Sequence, residues 1–211
     1  MTRTPSRTLL CAAALAALAA TNFGCATLGE IAATMSNLQR LKFRVAGVSG
    51  FTVAEIGIAQ KQRLADFTVM DGIRLLAAYQ GKRLPASFTL DVEAVNPNDG
   101  SGGSPKTAST LTSFAWRLLI DGRQTVAGDI AQPIEIPGTG QASVIPLRIE
   151  LDLVSFFNDK GYEDLLNLAL ALGGMKSDIT RLALDAQPRV TTPLGEIAYP
   201  GRITVVSKEY R

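Results

Sequence analysis

Histidine is absent from all 211 residues. That removes at once the most frequent general base, the usual activator of a serine or cysteine nucleophile and the most frequent metal ligand. Cysteine is nearly absent, with Cys11 and Cys25 the two in the chain. Cys11 lies inside an apolar run that reads as a removable leader. Cys25 is then left alone, with no partner for an internal disulfide and no second thiolate for zinc. An excess of one charge is missing too: 21 Lys+Arg stand against 19 Asp+Glu, and two of the basic residues, Arg3 and Arg7, precede the apolar run. Without them the signs balance, so the basic field that nucleic-acid binding needs is lacking. The longest apolar run, Leu9 to Ala20, covers about 18 Å as a helix against a hydrocarbon core of roughly 30 Å.

What is present begins with that run. A basic start, a short apolar stretch and small residues after it read as a secretory signal peptide over residues 1–24. Thr21-Asn22-Phe23-Gly24-Cys25 resembles a bacterial lipoprotein cleavage box. Gly24 and Cys25 fit the pattern, while Asn22 and Phe23 depart from its usual aliphatic and small residues. The resemblance implies lipidation at Cys25; plain signal cleavage with a free thiol is the alternative. Ala26, where such lipoproteins carry aspartate for inner-membrane retention, points to the outer membrane. A membrane partner reached through an N-terminal lipid is therefore expected, with residues 25–40 as lipidated N-terminus and spacer. Alanine-rich Leu28 to Arg40 reads as a short helix or linker.

The remaining residues, 41–211, read as one domain. Their most informative stretch is Ala86 to Asn98. Ala86, Phe88, Leu90, Val92 and Ala94 alternate with Ser87, Thr89, Asp91 and Glu93, the period of a strand with one dry and one wet face. Asn96-Pro97-Asn98 ends it, because proline gives no N–H to a ladder and asparagine side chains bond nearby backbone. Leu111 to Ile120 follows, with Phe114, Trp116, Leu118 and Ile120 on one face, and then Asp121-Gly122, where both residues tolerate the positive φ of a two-residue hairpin. Ile134-Glu135-Ile136-Pro137-Gly138 and Val144-Ile145-Pro146-Leu147 come next. In this order the segments resemble the late embryogenesis abundant type 2 family, or water stress and hypersensitive response (WHy) domain. The resemblance runs from about Leu41 to Val206 and implies a non-catalytic β-sandwich with a protective role in desiccation or envelope stress.

Other elements are read from pattern alone. Phe43 to Val48 is the expected first strand. Thr68 to Tyr79 reads as a short helix holding Ile73, Leu76 and Ala77 against a sheet edge. Pro133 should break the arm returning from Arg123 towards Ile136. Ile145, Leu147, Ile149, Leu151 and Leu153 alternate with polar residues. Tyr162, Leu165, Leu166 and Ala169 have helical spacing, with Asp159 as expected N-cap and Gly173-Gly174 as the stop. Strands resume at Thr180 to Asp185 and Arg202 to Val206. The expected architecture is a mainly β, antiparallel sandwich of immunoglobulin or fibronectin III type with one or two short helices.

Motifs for chemistry are weak throughout. Gly47-Val48-Ser49-Gly50-Phe51 lacks the glycine pattern of a nucleophile elbow. Gly100 to Thr107 has proline where a phosphate loop needs glycine, and reads as a hairpin loop. Asn96, Asn98 and Asp99 offer oxygens but no glutamate at calcium-loop spacing. Asp91 with Glu93, and Arg148 with Glu150 and Asp152, read as solvated strand faces. The expectation is a non-enzymatic envelope protein without cofactor or metal, tethered to the outer membrane and facing the periplasm. The alternative is a periplasmic binding module for a hydrophobic ligand or a partner strand.

Overall fold

The computed structural model describes residues 32–33, 35–101, 106–175, 178–192, 195–207 and 209–210. The signal sequence, Cys25 and the centre of the Gly/Ser loop lie outside them. Two antiparallel sheets face each other around one apolar core, so the molecule is a β-sandwich. The first sheet runs in the order β2 (Ile56–Gly57), β1 (Lys42–Val53), β3 (Pro85–Val95), β7 (Ala142–Asp152). The second runs β10 (Ile203–Val205), β8 (Leu182–Thr192), β4 (Ser109–Ile120), β5 (Arg123–Gly128), with β6 (Ile134–Ile136) also on β4 and β9 (Gly195–Ala198) on β8.

The period-two residues decide which face of each strand is dry. In β3, Ala86, Phe88, Leu90, Val92 and Ala94 are all buried, and in β7 so are Ile145, Leu147, Ile149 and Leu151. From β4, Phe114, Trp116, Leu118 and Ile120 close the core from the other sheet. Phe43 of β1 meets Phe114 across the two sheets at 5.1 Å between ring centroids. Phe51 stacks on Phe88 within the first sheet at 4.7 Å. Each such ring contributes about 1.5–3 kcal/mol by leaving water. β1 carries two bulges, between Val45 and Gly47 and between Ser49 and Thr52. Gly50 sits in the second at φ +62°, and at the first the Val45 N–H donates to the Val206 carbonyl at 3.1 Å. The C-terminal segment thus ties the second sheet to the first.

Four α-helices are found among the described residues. α1 is helical at residues 35–40. α2 (Val69–Gln80) has a reciprocal capping box: Thr68 Oγ1 accepts from the Asp71 N–H at 3.1 Å, and Asp71 Oδ2 from the Thr68 N–H at 3.0 Å. α3 (Leu153–Phe156) begins where β7 stops, with the Asp152 carboxylate accepting from the Val154 N–H at 3.0 Å. α4 (Tyr162–Gly173) buries seven of its twelve residues and packs against β1, where Gly173 lies under the ring of Phe51.

Two expectations about helices need correction. The helix at Thr68 to Tyr79 exists, but Ile73, Leu76 and Ala77 face outward, and Leu75 is its one fully buried residue. Apolar side chains occupy both arcs of this helix, so spacing alone offered two faces; Leu75, with half-buried Ala78 and Tyr79, took the inner one. Asp159 does not cap α4. Gly161 holds that position, and Asp159 instead pairs with Arg123 at 2.8 Å. Leu153, expected to continue the strand alternation, turns into α3 while staying buried.

Candidate functional site

The strand that ends in Asn96-Pro97-Asn98 delivers two fully buried asparagines to one end of the sandwich. Asn96 Nδ2 donates to the Thr107 carbonyl at 2.9 Å and the Ile136 carbonyl at 3.0 Å. Its Oδ1 accepts from the backbone N–H of Asn98 at 3.1 Å and from Asn98 Nδ2 at 2.8 Å. The Asn96 carbonyl takes the Gly140 N–H at 3.1 Å, and the Asn98 carbonyl the Thr107 N–H at 3.0 Å. One amide therefore joins the end of β3, the entry to β4 and the exit of β6. Asn98 Nδ2 also donates to the Asn37 carbonyl at 3.3 Å, which fixes α1 to the same knot. Gly138 is needed beside it, since a Cβ there would come closer than 3.0 Å to backbone atoms of Asn98 and Thr107. Asn98 Oδ1 is buried without a hydrogen-bond partner among the described residues. Among the described residues no three His, Cys, Asp or Glu side chains cluster as metal ligands would.

Asp121 and Gly122 link β4 to β5 with φ of 51° and 76°. The Asp121 carboxylate receives Arg181 in a two-pronged pair, with Nε at 2.7 Å, and the Asp121 N–H donates to the Arg181 carbonyl. Bonding to Arg181 holds the Asp121 carboxyl below its ordinary range and the Arg181 guanidinium above its own. The hairpin is thereby stapled to the start of β8.

The outer face of the first sheet carries the charged rows. Arg44 and Glu93 are cross-strand partners joined by an ion pair, and the Tyr210 hydroxyl donates to Glu93 Oε2 at 2.8 Å. The Arg44 guanidinium lies 4.8 Å from the centre of the Tyr210 ring. The Tyr210 hydrogen bond, then Arg44, lowers the Glu93 carboxyl; the same bond raises the Tyr210 phenol. The C-terminal segment is thus strapped across one end of this face. Towards the other end an open trough of about 470 Å³ lies between Thr52, Glu55, Arg83, Ser87, Glu150 and Asp152. It continues past Thr89 and Arg148. Its hydroxyls and charges come from the polar period of β1, β3 and β7, and Pro85, Ala86 and Leu151 line it as well.

The strapped C-terminus left no sequence signal, because Arg44, Glu93 and Tyr210 are scattered along the chain. The Asn98–Asn37 link was hidden for the same reason.

No family model matches the chain, and no curated protein matches it. Among solved structures, a protein from Archaeoglobus fulgidus aligns with a TM-score of 0.33 and 8% identity, over 60% of this chain and 82% of that one. A solution structure described as that of a candidate late embryogenesis abundant (LEA) protein aligns with a TM-score of 0.34 and 12% identity, over 99% of this chain and 96% of that one. Likeness at this level carries no argument about the present chain.

Proposed function

We propose that the protein is a non-enzymatic, lipid-anchored β-sandwich of the cell envelope, attached through Cys25 to the outer membrane on its periplasmic side, and protective under desiccation or envelope stress. The observation that carries this reading is the bond from Asn98 to Asn37. A buried asparagine of the N-P-N turn grips the spacer that follows Cys25, so a lipid there would hold the domain by one end. Nine residues, 26–34, separate Cys25 from α1, a reach of at most about 35 Å. The hydroxyl and charged rows of the first sheet would then face the surrounding space as a solvated surface. The ordered N-P-N, D-G and I-P-G segments supply the family resemblance on which the protective role rests.

The test compares native protein with a Cys25→Ser variant by intact mass and membrane fractionation. The expected outcome is a mature chain beginning at Cys25, heavier by its acyl chains, and release of the variant from the membrane. An unmodified mass with soluble behaviour removes the anchor. Survival of a deletion strain through drying, equal to that of the parent, removes the protective role.

A further inference from the structure

α2 turns its apolar arc outward. Val69 is 80% exposed, Met70 69%, Ile73 57% and Leu76 43%, and Ala77 lies among them. The one charge on the exposed arc is Arg74, which has no ion-pair partner among the described residues. The acidic residue of this helix, Asp71, is turned in to Lys61 and to the Thr68 N–H. Beside the helix C-terminus runs a groove of about 340 Å³ lined by Tyr79, Gln80, Lys82, Val154, Asn158 and Lys160. Its polar groups are two ammoniums, two side-chain amides and a phenol, with no carboxylate; Asp159, the acid adjacent to Lys160, is engaged by Arg123.

We infer that α2 is a docking ridge for an anionic phospholipid surface, lying parallel to it with the apolar arc in the headgroup boundary. Shape and charge choose this occupant. The arc is a convex ridge, which fits between lipid headgroups and leaves a folded protein partner little to enclose. At 12 residues it spans about 18 Å, and among the described residues no helix is long and apolar enough to cross a membrane. A short helix with one apolar face and cations at its margins is the form that binds in the interface, about 5–10 Å deep. Lys82 and Lys160 supply two cations, each strengthening contact with anionic lipid roughly fivefold. Their groove offers ammonium and amide N–H donors to a phosphate oxygen. α2 precedes β3 and the N-P-N knot follows it, so ridge and spacer join opposite ends of an 11-residue strand about 36 Å long. The ridge is thus a second membrane contact, independent of the anchor proposed at Cys25.

The test uses the full chain with Cys11→Ser and Cys25→Ser, so that lipidation plays no part. A single Ile73→Cys carries an environment-sensitive fluorophore, and Ala127→Cys on the outer face of β5 serves as control. The leader stretch also partitions into bilayers, so the readout is local. With vesicles containing 30 mol% phosphatidylglycerol in phosphatidylcholine, the label at position 73 should shift to the blue and be quenched by brominated lipid, while that at 127 stays water-like. Lys82→Gln with Lys160→Gln should weaken the lipid titration at position 73 roughly 25-fold at low salt. A water-like spectrum at position 73 on vesicle-bound protein overturns the inference, as do equal shifts at both positions. A shift without vesicles that grows with protein concentration overturns it in favour of a second copy. A signal indifferent to both lysines and to salt overturns the anionic assignment. Lipidation at Cys25 is read separately by mass, so either idea can fail alone.

Discussion

Asn96 has no freedom left for a ligand: its amide is spent on two carbonyls and on Asn98. Replacing it with alanine takes a donor from the buried Ile136 carbonyl and an acceptor from the buried Asn98 side-chain amide, at about 1–3 kcal/mol for each buried group. Asn96→Ala should lower stability by about 2–4 kcal/mol in urea denaturation; a loss below 0.5 kcal/mol would mean the knot does not hold the three segments. Glycines give the same kind of contrast. Gly173 meets the Phe51 side chain where a Cβ would stand, whereas Gly57 faces open space. Gly173→Ala should destabilise by about 1–3 kcal/mol through overpacking, and Gly57→Ala should change stability by less than about 0.5 kcal/mol. Trp116 follows the same logic, since Gly128 leaves room for its ring.

Among the elements, α2 stands apart from α4. Seven residues of α4 are buried, and it belongs to the core; α2 is held by Leu75, by half-buried Ala78 and Tyr79 (the latter against Tyr162), by its cap and by the Asp71–Lys61 pair. Leu75→Ala should therefore release α2 while the sandwich stays folded. Amides late in α2 would exchange much faster with solvent, those of β3 and β4 at unchanged rates; global unfolding in step with α2 would refute this. β7 shows how an edge strand is kept single. It is the outer strand of the first sheet, and Pro146, Arg148 and Glu150 interrupt its free edge with a missing donor and two charges. β7 stops where Asp152 gives up alternation to cap α3, bonding the Leu84 N–H as well at 2.9 Å.

Across the whole molecule, the C-terminal strap gives the fold two pH limits. The Glu93 carboxyl is lowered from its ordinary 4.5 by Tyr210 and Arg44, so its contribution is complete above 4.5 and is lost as pH falls through the lower folded value. The Tyr210 phenol is raised from 10.0 by the bond to Glu93, so its contribution is complete below 10.0 and is lost as pH rises through the higher folded value. Ultraviolet titration of tyrosine should show two groups ionising late, Tyr162 through burial and Tyr210 through its bond to Glu93, and Glu93→Gln should restore Tyr210 alone towards an ordinary phenol. An unchanged titration curve in that variant would show that the strap is not seated on Glu93. Arg44 stays charged throughout and keeps its place over the ring.

The sandwich itself was legible in the chain. Strict alternation in β3 can bury one face in a single way, because a shift of one residue would exchange every core side chain for a polar one, and β4 and β7 follow the same period with a few apolar residues on the other face. The turn residues marked the strand ends for the same local reason. Position across distance was not legible. Apolar residues on both arcs of α2 permitted either orientation, and packing at Leu75 chose the one that exposes Ile73. Asp159 had the right type for a cap, but Arg123, 36 residues away along the chain, lay within reach and took it. The grip of Asn98 on Asn37 and of Tyr210 on Glu93 depends on segments brought together only by the closed sandwich. Sequence by itself determined the period and the turns, since both are set by neighbouring backbone. Tertiary structure decided which apolar arc remains outside and which polar groups meet, because those follow from competition among distant partners for the same space.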